Sequence, residues 1–421
     1  MYKIFVKILF LIMTPWVISI SPDPSTDPFI PAKAKTSEPA ELWVGAYLAS
    51  WSHFAPPTGN WGNLPADEID WDAFTHLYYF AFGVGADGSL SGKEPYENMG
   101  PDRLNSIVTA AHNAKTPVLF SVGGWGNYEN FSKAITPEAR QNFIDNLLSV
   151  LMEWQFDGID LDMEPIKDQD SENYTAFVKE LHGEMQKIKT PLSSTALLTA
   201  ATSWKPNLFS ELQQYFDQIN LMTYDMSGAW GGWVTWHNAP VYSGDNTFPG
   251  TNRSLPSLEG MVADFINAGV KVNILSVGID FYGYIWSGGE GSYSGGVSKP
   301  NQSWVVAPQV RENIPYHQIM DKYYQPDFYN WDEQAGAAYL SITQSEGNKF
   351  ISYDEERAVQ EKIKYALKNE LGGIFIWELS AGYRKNESEG KRDLLLQSVK
   401  NTLLNSIEPF NDTPKQNIKQ E

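Results

Sequence analysis

Eight short apolar runs separated by stretches of helical spacing predict an α/β protein whose parallel strands close into a (β/α)8 TIM barrel. Three observations carry that expectation. The runs alternate with helices along the chain rather than clustering. Acidic and aromatic residues gather where strands end, which is where such a barrel places its working face. The first strand leads into Ser50-Trp51-Ser52-His53 and not into the glycine-rich phosphate turn that a doubly wound open sheet would want.

The strands are expected at residues 43–50, 75–82, 116–124, 156–165, within 192–203, and at 216–224, 270–281 and 373–379. Before the fourth, Thr136 can cap a helix and Pro137 suits its first turn. Phe143, Ile144, Leu147, Leu148, Leu151 and Met152 then recur at helical spacing. The next helix starts near Ser171, with Phe177, Leu181, Met185 and Ile188 on one face. Ser257 caps another, which Gly269 stops. Helices at 354–369 and about 391–404 complete the pattern. Residues 284–350 break it, being rich first in Gly and Ser and then in Trp, Tyr and Asn. A structureless loop of that length is improbable in a compact domain. It is expected to be a small α+β insertion between strand seven and its helix, leaving 41–283 and 351–407 for the barrel.

At the N-terminus, Lys3 and Lys7 precede an apolar run over residues 8–20, too short for a comfortable membrane span. This reads as a signal peptide over 1–21, with an uncleaved anchor as the other reading. Residues 22–40 are rich in Pro, Ser, Thr and Asp and read as a disordered linker, and 408–421 as a polar tail. A net charge of −20 excludes the basic footprint of nucleic-acid binding and fits a neutral substrate and a secreted or extracytoplasmic life without stable membrane insertion. There is no cysteine, and the six histidines are scattered without ligand spacing, so neither a metal nor a cofactor is expected. Aromatics make up 14% of the chain, including 15 Trp, an excess that suits packing against sugar rings.

Asp157-Gly158-Ile159-Asp160-Leu161-Asp162-Met163-Glu164 carries the most chemistry. Alternation puts Ile159, Leu161 and Met163 on one face and Asp160, Asp162 and Glu164 on the other. Three carboxyls in a row cannot all ionise comfortably. Such rows bind metal or hold a carboxylic acid protonated near neutral pH. A calcium loop would need Gly and Glu where the chain has Pro165 and Ser171.

The segment resembles the DGxDxDxE signature of glycoside hydrolase family 18, the chitinases and their relatives. The resemblance covers about residues 42–405. Ser121-Val122-Gly123-Gly124-Trp125 is similar to a second signature, in which Ser121 can bond a neighbouring carboxylate, Gly124 lets backbone approach closely and Trp125 stacks a sugar on the leaving side. The 218–225 segment resembles the sixth-strand motif, with Met222 and Tyr224 on one face and Tyr224 and Asp225 bonding the substrate's N-acetyl group. The 372–377 segment resembles the eighth-strand motif, whose Trp377 floors the pocket, and Tyr47 is a weaker match to a pocket aromatic on the first strand. Trp331-Asp332 and Tyr339-Leu340 resemble an insertion domain that walls a deep groove. There are departures on strand seven, where relatives commonly have Pro at Asp280 and Arg at Tyr284. The second-strand aromatic is either Phe80 or Phe82.

The resemblance implies a monomeric, secreted chitinase acting on β-1,4-linked N-acetylglucosamine polymers or oligosaccharides. It implies retaining, substrate-assisted catalysis. Glu164 acts as general acid and base, Asp162 stabilises the N-acetyl nucleophile, and Asp160 shares protons with Asp162. Two other readings stand beside it. One is an endo-β-N-acetylglucosaminidase or peptidoglycan hydrolase of the same family. The other is a non-catalytic lectin on the same scaffold.

Overall fold

A computed structural model describes residues 42–51, 62, 64–91, 101–289 and 294–407. The expected signal peptide, linker and polar tail lie outside the described residues. Strand β1 (Trp43–Ala49) pairs in parallel with β2 (His76–Val84), which folds back on the short β3 (Leu90–Ser91). Helix α1 (Pro101–Asn113) leads to β4 (Val118–Gly123), and α2 (Tyr128–Ala134) and α3 (Arg140–Glu153) lead to β5 (Gly158–Asp162). Then α4 (Ser171–Met185) precedes β6 (Leu197–Thr202), α5 (Pro206–Leu212) precedes β7 (Gln218–Leu221), and α6 (Leu258–Asn267) precedes β8 (Leu275–Asp280).

Next comes β9 (Tyr282–Gly288), β10 (Pro308–Pro315), α7 (Tyr316–Lys322), β11 (Tyr329–Asp332), β12 (Ala337–Ile342) and β13 (Lys349–Tyr353). These five strands form one antiparallel sheet in the order β10-β9-β13-β12-β11. Helix α8 (Glu356–Lys368) returns the chain to β14 (Gly373–Trp377), followed by α9 (Leu379–Gly382) and α10 (Leu394–Ile407). The parallel strands run β1-β14-β8-β7-β6-β5-β4-β2, and β2 pairs back to β1, closing an eight-stranded barrel. No helix among the described residues is long and apolar enough to cross a membrane.

Alternation sorts the strands into two faces. On β5, Ile159 and Leu161 join the apolar layer between strands and helices, while Asp160 and Asp162 turn to the barrel axis. Gly158 is tightly enclosed, since a Cβ there would lie 2.4 Å from the Leu197 carbonyl oxygen. Asp157, just before the strand, is fully buried and serves the scaffold. Its carboxylate accepts the Val118 and Leu192 backbone N–H groups, each at 2.9 Å, and pairs with His112 Nε2 at 2.8 Å.

The structure corrects several boundaries. The helix expected from Thr136 starts at Arg140, because residues 136–139 form a turn in which the Thr136 hydroxyl donates back to the Lys133 carbonyl. The fourth and sixth strands are shorter than expected, ending at Asp162 and Leu221. Glu164 and Tyr224 therefore stand on the loops beyond them, above the barrel mouth.

One buried ion group ties α8 to the end of β8. Lys362 Nζ on α8 lies fully buried against Asp280 Oδ1, at 2.9 Å, and Asp354. Asn238 Nδ2 also donates to Asp280, at 2.6 Å. Removing the ammonium would strand two carboxylates in a dry site. Lys362→Met is therefore expected to destabilise the fold by about 3–5 kcal/mol. The check is the guanidinium unfolding midpoint, and an unchanged midpoint would refute the role given to this group.

Candidate active site

The barrel axis is crowded with polar side chains beneath an open cleft of about 1740 Å3. Asp160 is fully buried at the bottom. Its Oδ2 accepts the Tyr47 hydroxyl at 2.9 Å and the Ser121 hydroxyl at 2.7 Å, and its Oδ1 accepts Thr199 at 2.6 Å. The Tyr47 oxygen in turn accepts Asn220 Nδ2 at 3.3 Å. Sheet register explains the crossing bonds, since Ser121 and Thr199 flank Asp160 on the two neighbouring strands. Burial raises the Asp160 carboxyl above its usual range, and the three hydroxyl donors oppose that rise.

Asp162, one step up, is 4% exposed and lines the cleft floor. Its Oδ1 is buried without a hydrogen-bond partner, a lone acceptor at the cleft floor. Burial, then the charges of Glu164 and Asp160, push its carboxyl well up.

Glu164 is half-buried beside it. Loss of solvent and the charge of Asp225 lift its carboxyl to about 7, against the pull of Asp162 and the Trp125 backbone N–H. A carboxyl poised there can hold a proton at neutral pH and surrender it during a reaction.

Glycines bring the third strand's end against this row. Gly123 has φ +107°, and a Cβ on it would lie 2.2 Å from the Asp162 carbonyl oxygen. Gly124, at φ +92°, donates its N–H to that same oxygen at 2.8 Å. Trp125 follows at the rim, 85% exposed. Trp377 forms part of the floor, edge-on to Phe80 at 4.7 Å and tilted to Tyr47 at 5.4 Å. Met222 and Tyr224 also line the cleft, and Asp225 accepts the Tyr282 and Tyr284 hydroxyls on one oxygen, at 2.6 and 2.7 Å.

The cleft thus brings together Tyr47, Gly124, Trp125, Asp162, Glu164, Met222, Tyr224, Asp225 and Trp377, while Asp160 and Ser121 sit directly below. Sequence reasoning left Phe80 and Phe82 undecided. Phe80 lines the cleft, and Phe82 packs in the outer core against Phe120 and Phe156. It missed Thr199, Asn220 and the insertion residues Glu312 and Asn313, which reach the cleft from an irregular stretch of β10. Tyr284 was visible only as a departure from the expected residue.

A (β/α)8 barrel with a buried carboxyl row at its mouth, a raised glutamic acid and an aromatic cleft defines a glycoside hydrolase. Residues 44–382 match the model of glycosyl hydrolases family 18, and the chain belongs to that family. It is 26% identical over 368 residues to chitinase 1 of Aphanocladium album, covering 78% of this chain and 81% of that one. It is 28% identical over 370 residues to endochitinase 1 of Metarhizium robertsii, covering 76% and 80%. Among solved structures, the group IV chitinase of Ostrinia furnacalis in complex with allosamidin matches with a TM-score of 0.72 at 25% identity, over 87% of this chain and 99% of that one.

Proposed function

We propose that this protein is a chitinase that cleaves β-1,4-linked N-acetylglucosamine chains with retention of configuration, the substrate's own acetamide acting as nucleophile. The observation that carries the reading is the row of Asp160, Asp162 and Glu164, with Glu164 lifted to about 7 at the edge of an aromatic cleft. The names of its relatives support the substrate class. The basic and apolar stretch over residues 3–20 supports export.

In this reading Glu164 donates its proton to the glycosidic oxygen and then takes one from the attacking water. Asp160 already accepts three hydroxyl hydrogens, so the proton of the Asp160–Asp162 pair resides on Asp162. Asp162, Tyr224 and Asp225 surround the acetamide and turn its oxygen toward the anomeric carbon. Trp377 floors the sugar whose bond breaks, and Trp125 stacks the leaving side.

The decisive assay incubates purified protein with chitin hexamer, a glycoprotein and peptidoglycan, and identifies products by mass. Chito-oligosaccharide products are expected from the hexamer. Cleavage confined to the glycoprotein or peptidoglycan would replace the chitin reading. A pH profile adds a mechanistic check. Glu164 must be protonated to act as acid, and it loses that proton as pH rises through about 7. The kcat/KM for chitin hexamer is therefore expected to fall on the alkaline side with a midpoint near neutrality. A profile flat from about pH 6 to about pH 9 would exclude Glu164 as the acid.

A further inference from the structure

Asp225 is held in an unusual way. Its backbone sits in the left-handed region, at φ +57°, which few non-glycine residues adopt and which clusters at functional sites. Tyr282 and Tyr284, two residues apart on one face of β9, both donate to the same oxygen, Oδ1. Its side chain is exposed to the cleft, which Glu164 also lines. Among the described residues no lysine or arginine is paired with it. Arg253 is the one cation among the described residues lining the cleft, and it stacks over Phe248 at 4.1 Å.

The groups facing Asp225 are otherwise phenols and carboxyls. Glu164 approaches from beyond β5, Tyr224 precedes it in the chain, Asp280 lies at the end of β8 and Glu312 on β10. The Asp280 charge is met by Lys362, which Asp354 also engages. Two O–H donors on one oxygen stabilise the ionised carboxylate, and being neutral they leave its field intact.

We propose that Tyr284 is a positioning residue for the general acid: its phenol holds Asp225 as an uncancelled anion beside Glu164, so that Glu164 keeps its proton. The proposal rests on the reading of Glu164 as the acid. Burial raises Asp225 itself and the two phenols pull it back, while the Asp225 charge is the second cause, after burial, of the rise at Glu164. A neutral donor at position 284 thus does what a cation there would undo. Arginine would stabilise the same anion but would also draw the proton off Glu164.

Carboxyl-13C NMR titration of protein labelled at Asp and Glu reads both groups without requiring turnover. Glu164→Gln and Asp225→Asn identify the two resonances. In Tyr284→Phe, loss of one donor is expected to raise the Asp225 midpoint by about one pH unit. In Tyr284→Arg, the midpoints of Asp225 and Glu164 are both expected to fall, each by about one unit. The alkaline limb of kcat/KM in Tyr284→Arg should fall with Glu164. A merely structural Tyr284 would lower activity and move neither midpoint. Unmoved midpoints in both variants overturn the proposal, whether or not chitin is the substrate. Inactivity of the wild type on chitin with shifted midpoints would overturn only the functional reading.

Discussion

Glu164→Gln is expected to lower kcat on chitin oligosaccharides by about 10²–10⁴-fold or more, the size of a lost general acid. The amide keeps the shape of the carboxyl and its place beside Asp162 and the Trp125 backbone, but it has no acidic proton to give. In the wild type that proton is retained because burial and the Asp225 charge lift the carboxyl to about 7. The aromatic contacts are untouched by the change, so oligosaccharide binding should survive. A binding isotherm on the variant, set beside its turnover, separates lost chemistry from lost recognition. Near-wild-type turnover would remove Glu164 from the mechanism. Loss of binding together with a lowered unfolding midpoint would instead show that the side chain supports the cleft.

The acidic strand was legible because period-two alternation and burial say the same thing there. Ile159 and Leu161 pack outward, and Asp160 and Asp162 point to the axis. What lies across the sheet was hidden, because register is a property of strand pairs and not of one segment. Thr199 meets Asp160 only because β5 and β6 align those residues, and Ser121 meets it from β4 for the same reason.

Phe80 and Phe82 show where alternation itself fails. Two residues apart on a regular strand, they would share a face. The β2–β4 register shifts between Tyr79 and Phe82, so Phe80 turns into the cleft and Phe82 into the outer core. The helix cap expected at Thr136 failed for a local reason, since its hydroxyl bonds back to the Lys133 carbonyl and a turn intervenes before α3. Phenols at positions 282 and 284 were legible as residues, but their convergence on one oxygen of Asp225 depends on the backbone of both β9 and the β7 loop.

Hydrolysis is expected to require N-acetylglucosamine on the non-reducing side of the broken bond. Retaining enzymes with two carboxylates place the second about 5–5.5 Å from the first and use it to attack carbon. The candidates here are otherwise engaged. Asp160 lies fully buried and accepts three hydroxyls, and Asp162 is pushed well up and so favours its neutral form. Asp225 is held by two phenols. A carboxyl that favours its neutral form is a poor nucleophile for an anomeric carbon and better suited to bonding an acetamide. A sugar without its acetyl group therefore brings no nucleophile, and the cleft supplies none in its place. The sugar on the other side only leaves, so its acetylation matters less. Digests of partially deacetylated chitosan should show N-acetylglucosamine at nearly every new reducing end, released first as the β anomer. A thiazoline mimic of the oxazolinium intermediate should bind more tightly than substrate. Frequent glucosamine at the new reducing ends, or an α anomer as the first product seen by NMR, would rule out the acetamide as nucleophile and leave Asp162 to be explained another way.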